Sequence, residues 1–413
     1  MRIVSGHTAA VAVERLAVRG AQWSRLEPQV RRIVEGVRRG GDRGLRRYAV
    51  RWDGIAAKQS LRVSDDEMAG AWRTLDPRLC QSLRQAEQNI RRFCEWQKPN
   101  SWMRTRGGIS LGQVARPLGS VGCYVPGGRY PLVSTLLMTT IPAQVAGVKS
   151  IRVVSPKPST EVLAAAAMLG VREFYRVGGA QAIAALAYGT DSIPKVDKIV
   201  GPGNAYVTVA KKLVSFDCAI DFLAGPTESV VMSYVGVPEF IAADLVAQAE
   251  HDPEALAVFI TTSRELARSV RLSAAKLAKG NRTAVESLRE RGAILVAASQ
   301  DEARDWANRL APEHITVEAD DLPFIQNAGS IFVGNYSAQA AGDYASGPNH
   351  VLPTWGQARF RGGLGVTDFM KIITVQQLSA DGLRRIAPAI EGLANAEGLQ
   401  AHARSIRVRC EHA

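Results

Sequence analysis

Residues 119–155 read GSVGCYVPGGRYPLVSTLLMTTIPAQVAGVKSIRVVS. The stretch begins with a short apolar run, GSVGCYV, which ends in a turn of proline and glycine that opens a helix. A second apolar run of strand length, SIRVVS, follows the helix. A strand that leads through a helix into the next strand is the βα unit of a parallel sheet, so these residues predict a parallel α/β fold.

The same alternation continues towards the C-terminus. Further strands are predicted at EFYRV and DKIVG, and a second series begins near residue 228. The second series reads ESVVMSYV, ALAVFITTS, AILVAAS, ITVEAD and SIFVGN, with helices between the strands. Two successive series predict two Rossmann-like parallel-sheet domains, each with helices on both faces of its sheet.

Four glycine-containing turns, VPGG, VGGAQ, GPGN and AGPTE, are predicted at the carboxyl ends of the strands. Ligands of open parallel sheets collect at those ends, and the helix N-termini behind the turns favour anionic phosphate. None of the four turns carries the G-x-G-x-x-G sequence, so the standard dinucleotide fingerprint is missing from them. Taken alone, such turns mark tight βα connections more often than cofactor sites.

The N-terminal quarter of the chain is predicted to be helical and is strongly basic. Ser64 and Glu67 have the spacing of a capping box, and an amphipathic run over residues 69–96 follows, with a break near Pro77. Residues 1–107 contain 22 Lys and Arg but 11 Asp and Glu, a surplus that could serve nucleic-acid binding. However, the arginines fall between apolar residues at helical spacing, and no recognition motif accompanies them. We therefore favour a solvated helical face and expect no nucleic-acid partner.

Cysteine usage and hydropathy bear on metal chemistry and cellular location. The five cysteines are widely spaced without a CxxC pair, which argues against a disulfide framework and against a thiolate zinc site. Any metal should therefore be held by nitrogen and oxygen. The longest apolar stretch, residues 132–148, is too short and too polar to span a bilayer, and the N-terminus does not resemble a secretory signal. We expect a cytoplasmic protein with no membrane partner.

Four of the six histidines lie in short polar motifs, namely His251 in AQAEHDP, His314 in APEHI, His350 in GPNHVLPT and His402 in AEGLQAH. Imidazole both binds zinc and transfers protons near neutral pH. Each histidine has polar companions, namely Gln248 and Glu250 beside His251, Glu313 beside His314, Asp343 before His350 and Glu397 before His402. We interpret the motifs as parts of one composite active site.

Two of these motifs have ordinary structural explanations. Gln248 and His251 are three residues apart near the end of a helix predicted over residues 241–250, where the helix dipole alone favours a cationic histidine. The Glu-His pair of APEHI is a common loop dipeptide. The carboxylate and imidazole of AGDYASGPNHVLPT are harder to explain by packing, because that glycine-rich loop has almost nothing apolar to bury.

Eight stretches, distributed in order over nearly the whole chain, together closely resemble the histidinol dehydrogenase family. They are VGCYVPGGRYPLVSTLLM, VGGAQAIAALAYGT, KVDKIVGPGNAYV, LAGPTES, AQAEHDP, APEHI, AGDYASGPNHVLPT and AEGLQAH. One departure is Thr227, which stands where many relatives have serine and so keeps the hydroxyl while adding a methyl group.

The resemblance implies a metal site, a cofactor site and a pair of proton-transfer residues. The zinc ligands would be Gln248, His251, Asp343 and His402. The NAD contacts would be Tyr124, Gln181 and Asn204. The substrate contacts would be Thr227, Gln248, His251, His314, Asp343, His350, Glu397 and His402. The proton chemistry would fall to Glu313 and His314.

The implied reaction is a four-electron oxidation of L-histidinol to L-histidine through L-histidinaldehyde, the last two steps of histidine biosynthesis, with two NAD⁺ consumed. The resemblance also implies a homodimer with one zinc ion per subunit and the C-terminal tail placed in the partner's site. Glu397 and His402 are five residues apart, about 140° around an ideal helix, so their convergence on one ligand requires a bend or a helix end between them.

The expected domain organisation has four parts, including small helical dimerisation elements at both termini. They are an N-terminal segment (1–20) packing with the C-terminal region, a discontinuous first α/β domain (21–123 and 228–365) carrying most of the metal site, a second α/β domain on the NAD side (124–227), and a helical C-terminal region and tail (366–413). Alternative functions are a related NAD⁺-dependent oxidation of another small polar alcohol, nucleic-acid binding through the basic segment, and a catalytically inactive scaffold. The intact acid/base and zinc positions argue against the scaffold.

Overall fold

The computed structural model describes residues 1–18, 23–127 and 132–412. The strands are β1 (Arg2–Ser5), β2 (Trp102–Arg106), β3 (Ile109–Pro117), β4 (Ser120–Tyr124), β5 (Ser150–Val154), β6 (Glu173–Tyr175), β7 (Lys198–Val200), β8 (Ala219–Ile220), β9 (Glu228–Met232), β10 (Leu256–Thr261), β11 (Ala293–Val296), β12 (His314–Val317), β13 (Ser330–Val333) and β14 (Met370–Leu378). The α-helices are α1 (Gly6–Ala17), α2 (Glu27–Tyr48), α3 (Asp65–Thr74), α4 (Pro77–Gln97), α5 (Val133–Ala146), α6 (Thr160–Met168), α7 (Gly179–Tyr188), α8 (Ala205–Val214), α9 (Pro238–Ala249), α10 (Arg264–Leu277), α11 (Arg282–Glu290), α12 (Gln300–Leu310), α13 (Gln339–Tyr344), α14 (Ala380–Ala396) and α15 (Gln400–Glu411).

Two parallel sheets form the body of the molecule, as the sequence predicts. The five-stranded sheet has the order β6-β5-β4-β7-β8, and the six-stranded sheet has the order β1-β11-β10-β9-β12-β13. Neighbouring strands are parallel in both sheets. The central strands β9 (ESVVM) and β10 (LAVFIT) are buried at every position. Strands that are buried at every position are covered on both faces of their sheet.

Helices α2, α3 and α4 pack around the five-stranded sheet rather than the six-stranded one. Helix α2 packs on α7 and α8, α3 packs on α6, and α4 packs on α5. The capping box is present at the start of α3, where the Ser64 side chain accepts a hydrogen bond from the Glu67 N–H. The expected assignment of residues 21–123 to the other domain is therefore wrong, because these amphipathic helices bury their apolar faces against the nearer sheet. The expected boundary at 123/124 would also cut β4, which ends at Tyr124.

The N-terminal strand is a second correction. β1 pairs in parallel with β11, and α1 packs on α12. Residues 1–18 thus complete the six-stranded sheet instead of packing with the C-terminal region, because the unpaired edge of β11 offers backbone partners to the short RIVS segment. The expected boundary near residue 20 lies outside the described residues.

A third sheet was not predicted. β14, β3 and β2 form an antiparallel sheet in that order, so the C-terminal region is not wholly helical. The helices α14 and α15 follow β14 and pack against each other. Nowhere along the described ranges does a helix combine the length and apolarity needed to cross a bilayer.

Candidate active site

A polar cluster lies at the amino edge of the six-stranded sheet, where its strands begin. It consists of Thr227, Gln248, Glu313, His314, Asp343 and His350. Thr227 immediately precedes β9, and His314 is the first residue of β12, where it pairs with Ser229 of β9. Gln248 lies in the last turn of α9, which returns to this edge. The expectation that the ligand-binding turns all lie at carboxyl ends is therefore wrong for AGPTE, because the strand follows this turn instead of preceding it.

Glu313 is a buried carboxylate with two donors on one oxygen. Its Oε2 accepts a hydrogen bond from the Thr227 hydroxyl at 2.6 Å and from the Glu228 N–H at 3.0 Å. Burial raises the pKa of Glu313 above its usual range, and these donors and the neighbouring His314 partly oppose the rise. The Thr227 hydroxyl has one hydrogen but lies within 3.1 Å of Gln248 Oε1 as well, so the shorter contact to Glu313 takes that hydrogen.

His314 lies between two carboxylates. Its Nε2 is 3.4 Å from Asp343 Oδ1, and its Nδ1 is 3.7 Å from Glu313 Oε2. Among the described residues, Nδ1 has no hydrogen-bond partner. The ring stacks on Phe332 with centroids 5.9 Å apart. Burial opposes protonation, but the negative charge of Glu313 and the bond to Asp343 outweigh it, so the pKa of His314 is raised.

Asp343 joins three of the expected site residues. Its Oδ2 accepts a hydrogen bond from Gln248 Nε2 at 3.1 Å, and its backbone carbonyl lies 2.7 Å from His350 Nδ1. Burial alone would raise the pKa of Asp343, yet the hydrogen bond and positive charge of His314 hold it below the usual value. The structure thus brings Thr227, Gln248, Glu313, His314, Asp343 and His350 into one network.

His350 connects this network to the other sheet. Its Nε2 lies 3.3 Å from the Thr135 hydroxyl on α5, while the neighbouring Asn349 donates to the Met138 carbonyl on the same helix at 2.6 Å. Burial lowers the pKa of His350. A neutral His350 imidazole can accept a hydrogen bond from the Thr135 hydroxyl at Nε2 and donate one from Nδ1 to the Asp343 carbonyl.

Three expected site residues, His251, Glu397 and His402, lie outside this hydrogen-bonded network. His251 is exposed and lies past the end of α9, although its charge, if protonated, would lower the pKa of Asp343. Glu397 and His402 are exposed at the junction of α14 and α15. Gly398, with φ +74°, separates the two helices, so the helix end predicted between these residues is present.

The donor chemistry of this edge can be compared with a zinc site. In the described part of the chain, no group of three or more His, Cys, Asp or Glu side chains is close enough to hold a metal ion. Gln248 and Asp343 nevertheless lie together, with the Gln248 amide nitrogen donating to the Asp343 carboxylate. With His251 and a further histidine from outside this cluster, they would supply the two nitrogens and two oxygens that suit zinc, so the residues fit the ion.

The three expected cofactor residues line one cavity of about 530 Å³ at the carboxyl edge of the five-stranded sheet, namely Tyr124, Gln181 and Asn204. The Tyr124 hydroxyl accepts from the Gly179 N–H at 3.1 Å. Asn204 caps α8, where its Oδ1 accepts from the backbone N–H groups of the first turn.

Two aspartates near these groups were not expected from the sequence. Asp53 Oδ2 accepts from the Gly178 N–H at 3.2 Å and from Gln181 Nε2 at 3.1 Å, so it fixes the amide of an expected cofactor residue. Asp244, on α9, accepts from the Gln339 N–H at 3.3 Å, and burial raises its pKa to about 6. An isolated aspartate carries no spacing signal, and only the RWDG turn around Asp53 could have suggested a structural role.

A second cavity of about 980 Å³ joins the two edges. Its lining includes Asn204 from the cofactor side and Thr227 and Glu228 from the polar cluster. Trp23 and Trp355 also line it. Asn204 lies on both cavities, so the two cavities adjoin at this residue.

Comparisons with known proteins agree over the whole chain. Residues 17–410 match the family model described as histidinol dehydrogenase. Histidinol dehydrogenase of Methanothermobacter thermautotrophicus is 47% identical over 392 residues, covering 91% of this chain and 92% of the relative. That of Aquifex aeolicus is 44% identical over 407 residues, covering 96% of each.

The solved structures give the same result. The crystal structure of histidinol dehydrogenase from Elizabethkingia anophelis superposes with a TM-score of 0.93 at 34% identity, covering 100% of this chain and 98% of that one. A match of this extent in sequence and fold leaves no part of the body of the chain unaccounted for. The chain therefore belongs to the histidinol dehydrogenase family of oxidoreductases.

Proposed function

We propose that this protein oxidises L-histidinol to L-histidine in two NAD⁺-dependent steps, through bound L-histidinaldehyde. The observation that carries the proposal is the buried pair Glu313 and His314, whose Glu313 accepts hydrogen bonds from Thr227 and Glu228. These two residues line a cavity that Asn204 also lines. Family membership supports the substrate, and this cavity supports a dinucleotide that extends from the five-stranded sheet towards the pair.

His314 is the base in this mechanism. With its Nε2–H directed at Asp343, the ring keeps Nδ1 as an acceptor on the side of Glu313. Nδ1 takes the alcohol proton while hydride leaves the carbinol carbon for the first NAD⁺, which yields the aldehyde and NADH. The base returns to its neutral form by losing that proton to solvent.

Glu313 serves the step between the two oxidations. Its carboxylate accepts a proton from water as the water oxygen adds to the aldehyde carbon, and it passes that proton to the former aldehyde oxygen, which gives a hydrate. His314 then takes a hydroxyl proton of the hydrate while the second hydride leaves for a second NAD⁺. One histidinol, two NAD⁺ and one water thus give histidine carboxylate, two NADH and three protons.

Zinc dependence is part of the proposal. Gln248, His251, Asp343 and His402 would hold the ion, which would anchor nitrogen atoms of the substrate and so fix the reacting carbon. The exposure of His402 in its own subunit supports a homodimer in which this tail enters the partner's site. His350 and Glu397 would complete the substrate contacts.

The five-stranded unit is the NAD side of this proposal, with contacts from Tyr124, Gln181 and Asn204. We place the reaction in the cytoplasm, where the pathway's soluble intermediates would be available. Neither the basic helices nor any other surface is assigned a nucleic-acid or membrane partner.

The test is NADH formation from L-histidinol by the purified protein, with histidine counted in parallel. We expect two NADH for each histidine, and loss of activity on treatment with a chelator that returns when zinc is restored. A ratio of one would contradict the second oxidation, whereas full activity in a protein shown to be free of metal would contradict the zinc site.

A further inference from the structure

Trp355 has an unfavourable backbone conformation at the wall of the larger cavity. Its φ is +56°, and it is followed by Gly356 with φ +71°. Bulky L-residues rarely adopt the left-handed region, because Cβ approaches the following carbonyl oxygen. Such residues persist where the surrounding structure fixes them, and they cluster at ligand sites.

Two hydrogen bonds hold the segment in place. The Trp355 N–H donates to Glu228 Oε1 at 2.7 Å, and the Thr354 hydroxyl accepts from the Gly225 N–H at 2.6 Å. Both partners flank Thr227, whose hydroxyl binds Glu313. The backbone of Trp355 is thus fixed to the loop that carries the polar cluster.

The indole position depends on two neighbours. A Cβ atom on Gly225 would lie 2.1 Å from indole Cε2, so the ring occupies space that any other residue there would need. Trp23 meets the ring edge-on, with centroids 5.0 Å apart and planes inclined at 61°. This arrangement keeps a large aromatic ring against the cavity instead of letting it rotate away.

The shape of the larger cavity determines which part of a ligand the Trp355 indole can contact. Asn204 lies on both cavities, and Thr227 and Trp355 both line the larger one. A dinucleotide held at Tyr124 and Gln181 that extends past Asn204 towards Thr227, the partner of Glu313, enters the space that Trp355 borders. This step rests on the proposed function.

We propose that Trp355, supported by Trp23, binds the nicotinamide ring of the dinucleotide and favours its oxidised form. The pyridinium ring of NAD⁺ is cationic and planar, whereas the dihydropyridine ring of NADH is neutral. An indole attracts a cation through the negative charge of its ring face, so the interaction is stronger with NAD⁺. Such a preference would assist the exchange of NADH for NAD⁺ between the two oxidations.

The test compares three substitutions at one position. Trp355→Gly removes the ring and relieves the backbone, Trp355→Asn removes the ring while tolerating the left-handed conformation, and Trp355→Phe keeps an aromatic ring. We expect Trp355→Gly and Trp355→Asn to raise the KM for NAD⁺ about five- to tenfold and the inhibition constant of NADH less than about twofold. Trp355→Phe should recover most of the NAD⁺ affinity.

The matched control is Trp96→Phe, because Trp96 is exposed and lies outside both cavities. It should change neither constant. Energy transfer from tryptophan to bound NADH should fall in all three Trp355 variants and not in the control. Thermal unfolding of each variant identifies any loss of folded protein. If Trp355→Gly does not fold, Trp355→Asn provides the measurement without the indole ring.

Several outcomes would overturn the assignment. Equal increases in the constants for NAD⁺ and NADH would show a structural effect without preference for the cation, and a rise in the KM for histidinol alone would place the substrate ring there instead. A wild-type protein that forms no NADH from histidinol would contradict the proposed function and this assignment together. A fully active wild type whose Gly and Asn variants match it would contradict the assignment alone.

Discussion

The carboxyl edge of the five-stranded sheet and the amino edge of the six-stranded sheet favour ligands of opposite charge. At the carboxyl edge of the five-stranded sheet, α7 and α8 begin, and their N-termini direct backbone N–H groups towards the expected cofactor residues. At the amino edge of the six-stranded sheet, α9 and α12 end close to Gln248 and Glu313. Helix N-termini favour anions and helix C-termini favour cations.

The comparison explains why the polar cluster is not at the usual edge. A phosphate-bearing cofactor suits the first edge, whereas a metal ion, an ammonium group or an imidazolium suits the second. Two acidic side chains, Glu313 and Asp343, strengthen the preference of the second edge for positive charge. Opposite ends of two similar sheets thus favour ligands of opposite charge.

The largest effects should come from the proton-transfer pair. We expect His314→Asn to lower kcat for both alcohol and aldehyde by about 10²–10⁴-fold, and Glu313→Gln to slow aldehyde oxidation far more than the first hydride transfer. Pre-steady-state NADH formation with each substrate separates the steps. Equal loss of both steps in the Glu313 variant would show that the division of roles is wrong. As a control at the other edge, Asn204→Ala should raise the KM for NAD⁺ without changing bound zinc.

At the carboxyl edge of the five-stranded sheet, we expect the largest loss of unfolding free energy from a substitution of Lys211. This buried lysine forms an ion pair with Asp221 and donates to the Gly201 carbonyl at 2.9 Å, while Asp221 accepts from the Gly201 N–H at 2.8 Å. Lys211→Met would leave Asp221 buried without its cation, so we expect a loss of about 3–5 kcal/mol in unfolding free energy.

The control for this prediction is the adjacent Lys212, which is half-exposed and paired with Glu27. Lys212→Met should cost at most about 1 kcal/mol. Denaturant titrations of both variants measure the difference. Similar losses in the two variants would show that burial of the Lys211 pair is not what stabilises the turn before Asn204.

Asp244, on α9, gives a pH-dependent test of carboxylate burial beside the six-stranded sheet. Its pKa is about 6 in the folded protein against an ordinary 3.8, chiefly because of burial. The folded state therefore binds the Asp244 proton more tightly than the unfolded state does. The stabilisation that this proton gives the folded state is present below about pH 4 and is lost as the pH rises through about 6. Relative to wild type, Asp244→Asn should gain up to about 3 kcal/mol across that interval, because Asn keeps the acceptor for Gln339 and never ionises.

Chelator should be present in this measurement, so that bound metal does not alter the field at Asp244. The exposed Glu239 on the same helix provides the control, and Glu239→Gln should change stability by less than about 0.5 kcal/mol. A pH-independent difference between Asp244→Asn and wild type would contradict the buried-carboxylate interpretation of Asp244.

The smallest expected signal concerns the shared site. His402→Ala and the double variant Glu313→Gln/His314→Asn should each be inactive alone. After subunit exchange, half of the molecules are heterodimers with one intact site of two, so about a quarter of wild-type activity should return. Failure to recover activity despite verified exchange would place the tail in its own subunit's site.

The sequence predicted the parts of the fold that depend on local signals. The apolar runs of β4 to β7 and β9 to β13, the Ser64 cap and the break at Pro77 are encoded by residues close together in the chain, whereas the two-residue β8 was not predicted. The antiparallel sheet was missed because β3 pairs with β14, about 260 residues later, and no local pattern specifies such a partner. β1 was missed for the same reason.

The site shows a similar division. The motifs identified Glu313, His314 and Asp343 correctly as neighbours, and the structure brings them together. Their place at the amino edge depends on the register of β12 against β9, which short motifs do not contain. The left-handed backbone of Trp355 also escaped prediction, because tryptophan gives no signal for that conformation.

The pairing of β1 with β11 has a consequence for the order of folding. The strands of the five-stranded sheet all lie between residues 120 and 220, so that sheet can form once about half of the chain has left the ribosome. The strand at residues 2–5 is made earlier but has no partner until residues 293–296 emerge. Closing so long a loop is slow, and this early segment is therefore among the last to acquire its native hydrogen bonds.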